Sequence, residues 1–130
     1  MKIIVKKYNE EPMVVEKDEV TLDDMQEMVG GMIECLHVGG NVDMWLNDEG
    51  KLLDLPLNLI LANEDRDVLD TIHGDIFFAG SDDSGELVGL KDGELIWIQN
   101  KLSCEFSLMV DEERESVRII PVWVFDPTVS

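Results

Sequence analysis

A chain of 130 residues with 45% apolar side chains has room for one domain and its core, while its formal net charge of −19 at pH 7 sets it against phosphate backbones and anionic lipid. The charge is concentrated: residues 23–113 hold 22 of the 29 acidic side chains against only Lys51, Arg66, Lys91 and Lys101, which puts that stretch at −18. The balance argues against direct nucleic-acid binding and against a membrane surface, and in favour of basic protein surfaces.

Residues 2–8 alternate apolar and charged side chains and predict a first strand, with Ile3 and Val5 on one face. They lack the long apolar core and cleavage site of a secretory signal. Glu10-Glu11-Pro12 reads as a turn and Met13–Glu16 as a short second strand. Thr21 is a natural helix N-cap, and Asp23 and Asp24 fall in the first turn, where the helix dipole favours acids. Leu22, Met25, Met28 and Val29 recur at helical spacing. Gly30-Gly31 then ends a helix over about 21–29.

Residues 32–38 and Val42–Asn47 read as strands joined at Gly39-Gly40-Asn41. Asp48-Glu49-Gly50 is the next turn. The apolar run 52–62, interrupted by Asp54, Pro56 and Asn58, reads as a short strand or loop followed by one helical turn. Residues 63–70 read as a polar loop and 72–79 as a buried strand. A turn over 80–85 leads to a hairpin partner at 87–90. Residues 91–103 fit both periods, but Leu95, Ile98 and Leu102 share a helix face, and a helix is the preferred reading. A strand over 106–110, a charged turn over 111–115 and a last strand over 117–125 complete the chain. Pro121 lacks a ladder donor and belongs at an edge or a bulge. The sum is a single α+β domain, with a mixed, mainly antiparallel sheet of about five or six strands and one or two packed helices. No apolar run reaches the roughly 18 residues of a membrane helix. Cys35 and Cys104 are isolated and read as buried, reduced thiols in a cytoplasmic protein.

His37 and His73 are the two histidines. On one strand His73 and Asp75 would share a face and could hydrogen-bond. With Asn58 they form the candidate ligand pocket: His73, Asp75 and Asn58. No nucleophile motif accompanies them. Asp82-Asp83-Ser84-Gly85-Glu86 lacks the ligand alternation of a calcium loop. Gly30-Gly31 and Gly39-Gly40 are too short and too acidic in context to cradle phosphate. No catalytic residue, metal ligand or cofactor is therefore assigned. Trp45, Trp97 and Trp123 lie in apolar runs and read as core or a half-buried sheet face rather than a base-stacking platform. The candidate acidic binding face is Asp23, Asp24, Glu27, Asp48 and Glu49.

The order and spacing of Val29-Gly30-Gly31-Met32-Ile33-Glu34, Asn47-Asp48-Glu49-Gly50-Lys51-Leu52, Leu55-Pro56-Leu57-Asn58 and Ile72-His73-Gly74-Asp75-Ile76-Phe77-Phe78-Ala79-Gly80 resemble the family catalogued as domain of unknown function 3846. The resemblance covers roughly residues 1–100. It implies a family-like core over about 1–103 and a C-terminal strand extension over 104–130. It also implies relatives in Gram-positive gut bacteria and on phages, plasmids and other mobile elements. It brings no activity and no catalytic residues.

These readings lead to a non-catalytic protein-binding or regulatory factor of a mobile element that engages a basic protein surface. A sharper version is a nucleic-acid mimic, its carboxylates standing in for phosphates on a DNA-binding partner. One alternative is a small-ligand binder or enzyme with a pocket near His73. Another is a structural subunit that self-assembles, a homodimer forming through Val122, Trp123, Val124 and Phe125.

Overall fold

The N-terminal alternation becomes strand β1 (Lys2–Lys6), which pairs antiparallel with β2 (Met13–Glu16) from Lys2 opposite Glu16 to Val5 opposite Met13. The computed structural model of the chain describes residues 1–111 and 116–125. Helix α1 (Leu22–Val29) starts where the N-cap spacing places it. Thr21 Oγ1 accepts from the Asp24 amide at 3.1 Å, and Asp24 Oδ2 accepts from the Thr21 amide at 2.9 Å, a reciprocal capping box. Gly30, at φ 78°, closes the helix in the left-handed conformation that glycine tolerates.

Strands β3 (Ile33–Gly39), β4 (Val42–Asn47), β5 (Leu57–Ala62), β6 (Val68–His73), β7 (Ile76–Ser81) and β8 (Leu87–Val88) follow, then helix α2 (Asp92–Cys104) and strands β9 (Phe106–Asp111) and β10 (Ser116–Val124). They form two sheets. The first runs β2-β1-β7-β4-β3, with β8 pairing the end of β7; it is antiparallel throughout. The second runs β6-β5-β10-β9 and is antiparallel except for the parallel β5–β10 pair. The fold is thus α+β and mainly antiparallel, with a second sheet added to the six-stranded one.

The period of two sorts the inner strands β1 and β7 of the first sheet between two cores. Ile3, Val5, Phe77 and Ala79 meet Met25 and Val29 of α1 on one face. Ile4, Met44, Ile76 and Phe78 point the other way. There they meet Leu59, Leu61, Ile72 and Trp123 of the second sheet and Leu95, Ile98 and Leu102 of α2. Trp123 is fully buried, stacked on Phe78 with ring centroids 5.3 Å apart and edge-on to Trp97 at 5.4 Å.

Five expectations need correction. The run 52–62 has its turn first and its strand second: the Leu53 and Asp54 amides donate to Glu49 and Lys51 carbonyls, and β5 follows. Leu59, Ile60 and Leu61 are all buried between β6 and β10, so no alternation marks the strand. The loop expected over 63–70 ends earlier, because Val68 and Asp70 already pair with Ala62 and Leu61. The strand expected over 72–79 is two strands in different sheets, and Gly74, at φ 89°, turns the chain from one to the other. Pro121 is on an interior strand, not an edge. It lies opposite Phe106 at the last β9 pair, just before β10 takes up β5 at Val122, so its missing donor falls at the handover. Cys35 and Cys104 are free thiols but both are exposed, Cys35 on the outer strand β3 and Cys104 at the end of α2.

Val122, Trp123 and Val124 pair with Ile60, Leu61 and Ala62 of the same chain, so the last strand completes its own sheet. Residues 112–115 of the expected charged turn lie outside the described residues. No helix among the described residues is long and apolar enough to cross a membrane.

Candidate functional site

Lys6 shares a strand face with Ile4, so the pleat that buries the isoleucine also carries the lysine inward. It is only 5% exposed. A buried ammonium needs acceptors, and β5 supplies one. Lys6 Nζ donates to Asn58 Oδ1 at 2.8 Å and to the Lys7 carbonyl at 2.9 Å. The Asn58 amide nitrogen donates to the Lys6 carbonyl at 3.0 Å and the Gly74 carbonyl at 2.8 Å. One buried side chain thereby ties β1, β5 and the crossing between the sheets. Burial holds the Lys6 pKa below the ordinary lysine value, and the carboxylates of Glu11, Asp75 and Glu10 pull it partly back.

A cavity of about 570 Å³ opens over this pair, between the turn after β1 and strand β10. Glu10, Glu11 and Arg118 line it, and Leu57, Leu102, Phe106 and Ile119 supply apolar wall. The Arg118 guanidinium lies 4.8 Å from the centre of the Tyr8 ring. Its Nη1 donates to the Tyr8 hydroxyl and its Nη2 to the Leu57 carbonyl at 3.3 Å.

Of the expected pocket residues, Asn58 lines this cavity and His73 and Asp75 do not. His73 Nδ1 lies 2.9 Å from the Leu55 carbonyl oxygen, which can only accept, so that nitrogen carries a proton. Nε2 is 3.0 Å from the Thr71 hydroxyl, which donates to it when the ring is neutral. Asp75 accepts instead from the Tyr8 amide at 2.8 Å. The expected His73–Asp75 hydrogen bond is absent because Gly74 turns the chain between them. Both residues hold loops and strands in place.

The expected acidic face divides. Asp23, Glu27, Asp48 and Glu49 are exposed. Asp24 is committed to the Thr21 cap and lies 3.7 Å from Lys17; the Thr21 amide, first among several partners, holds its carboxyl below the usual range. Asp48 and Glu49 open a turn anchored by Asn47, whose side chain donates to the Val29 carbonyl at 3.1 Å and accepts from the Glu49 amide at 2.8 Å. Beyond them Leu52 and Leu53 are 85% and 54% exposed. An ion pair between Lys51 and Asp70 fastens this turn to β6, where Val68 and Leu69 are also exposed. Hydrogen bonding by Lys51 lowers the Asp70 pKa. The pair thus links two segments with exposed apolar side chains, Leu52-Leu53 and Val68-Leu69, and exposed Asp48, Glu49, Asp54, Asp67 and Asp70 lie in or beside those segments along the chain.

Sequence reasoning missed Lys6, Arg118 and the exposed leucines. The signal for Lys6 was its phase with Ile4. For Leu52 and Leu53 it was their place between Gly50 and Pro56, two breakers that make a turn. No three His, Cys, Asp or Glu side chains among the described residues converge as a metal site.

The family model of a domain of unknown function, number 3846, matches residues 1–103. No curated protein and no solved structure gives a significant match. The matched span carries Lys6, Asn58 and the exposed leucines, and Arg118 lies beyond it. With most of its length matched, the chain belongs to the family of domain of unknown function 3846.

Proposed function

We propose that this chain is a non-catalytic binding protein that docks onto a basic protein surface. The observation that supports the reading is the exposure of Leu52, Leu53, Val68 and Leu69, on two segments joined by the Lys51–Asp70 pair and rich in exposed acids. Single exposed leucines are ordinary, but a group on one surface rimmed by charge has the make-up of an interface. The two ingredients divide the work. Negative charge steers a basic partner into place, and desolvation of the leucines supplies affinity. Among the described residues the acids pair with the cations of Lys17, Lys51 and Arg66, and Asp43 meets the His37 ring, so most of the charge there faces water.

A finer form of the reading is nucleic-acid mimicry, in which the carboxylates occupy the phosphate positions of a DNA-binding partner. The mobile-element relatives implied by the resemblance favour partners of that kind.

The test is affinity capture from bacterial lysate with three baits: the native chain, Leu52→Ser with Leu53→Ser, and Asp48→Asn with Glu49→Gln and Asp54→Asn. The expected result is capture by the native chain at low salt, release at high salt and loss with both variants. Release by added duplex DNA would support mimicry in particular. Capture of the same proteins by both variants would sink the docking surface.

A further inference from the structure

In a chain of net charge −19, two cationic groups that line one cavity make no ion pair among the described residues. Lys6 spends two of its three N–H donors on neutral oxygens, and the third has no protein acceptor among the described residues. Arg118 spends its described bonds on a hydroxyl and a carbonyl, again neutral. Both groups reach the same short piece of β5, Lys6 through the Asn58 side chain and Arg118 through the Leu57 carbonyl. Glu11, Asp75 and Glu10 offset the burial of the Lys6 charge only in part, and Arg118 has only the Tyr8 ring beneath it, so an anion bonded directly to both groups would offset more of the cost. The volume of about 570 Å³ falls within the range of small-molecule sites. Phe106 and Ile119 on its wall are 59% and 60% exposed, apolar area that the protein itself leaves uncovered. Glu10 and Glu11, which also line the cavity, disfavour a second negative charge on the ligand.

We infer that this cavity binds a small organic monocarboxylate with an apolar body, its carboxylate held by Lys6 and Arg118 and its body laid against Phe106 and Ile119. The site is separate from the leucine patch, and the inference stands without the proposed docking function.

The probe is octanoate, with octanol as the uncharged match and octyl phosphate as the more highly charged one. Binding to the full chain is followed by calorimetry and located by amide NMR shifts. Octanoate should bind with shifts centred on β1, β5 and β10, and octanol at least about tenfold more weakly, as expected for loss of a charge-assisted hydrogen bond. Arg118→Gln should weaken octanoate by a similar factor. Glu10→Gln with Glu11→Gln, both exposed positions, should tighten it. Absence of octanoate binding at millimolar concentration overturns the inference. So does octanol binding as tightly as octanoate, or Arg118→Gln binding octanoate as the native chain does. Octyl phosphate binding more tightly than octanoate overturns the ligand class.

Discussion

Asn58 accepts from a buried ammonium and donates to two backbone carbonyls of different segments, so its removal leaves three buried polar groups without their partner. Asn58→Ala should cost about 2–4 kcal/mol, read as a lower urea midpoint. Much of that cost is the stranded Lys6 charge. Lys6→Met combined with Asn58→Ala should therefore cost less than the sum of the two single changes. Lys6 also carries a pH signature. Its folded-state pKa lies below the ordinary lysine value of 10.5, so between the two values the unfolded chain binds more protons. In that window the Lys6 contribution to stability rises with pH, and it is complete above about 10.5. The native chain should thus gain on Lys6→Met as pH is raised from 8 towards 10.5, measured by urea unfolding at each pH. A flat difference would place the amine in water. This part of the site was only half legible. Asn58 stood out as a polar residue in an apolar run, whereas a lysine at the end of a strand ordinarily reaches water, and nothing local marks one that does not. Its partner Asn58 is 52 residues away in sequence.

Elements were legible where their own residues carry the signal. The first helix shows a cap, a period and a stop, and it forms from Leu22 to Val29. Thr21→Ala removes the accepting oxygen of the capping box and should cost about 1 kcal/mol, while Thr21→Ser should cost little. Chemical denaturation of both variants checks this, and because Thr21 is exposed no packing change confuses the reading. Where the signal lies in the neighbours, the sequence was mute. β5 is buried on both faces and shows no alternation. The step from β6 to β7 rests on one left-handed residue, Gly74, inside an apolar stretch that reads as continuous. Pro121 obeys its own chemistry, but it does so by sitting where β10 changes partners, which depends on where β5 and β9 lie. The second sheet was missed for the same reason: its central pair, β5 with β10, joins segments about 60 residues apart.

At the scale of the molecule, salt should act with opposite signs on folding and on docking. Folding draws the −19 charge into a small volume, and screening relieves that repulsion. The Debye length falls from about 30 Å at 0.01 M to about 3 Å at 1 M, so the urea midpoint should rise as sodium chloride is added across that range. An unchanged slope of the unfolding curve would show that the gain is in stability and not in the compactness of the unfolded chain. Attraction to a basic partner is screened by the same ions, so affinity at the leucine patch should fall over the same range. A partner released at high salt would then be leaving a chain that is more stably folded than before, and its loss could not be put down to unfolding. The cavity over Lys6 provides a third slope. Its cation is buried, and buried charge is screened much less than exposed charge. Octanoate affinity should therefore change less with salt than docking does. If octanoate and the protein partner lost affinity in parallel, the carboxylate would be binding at the solvent-exposed surface and not between Lys6 and Arg118.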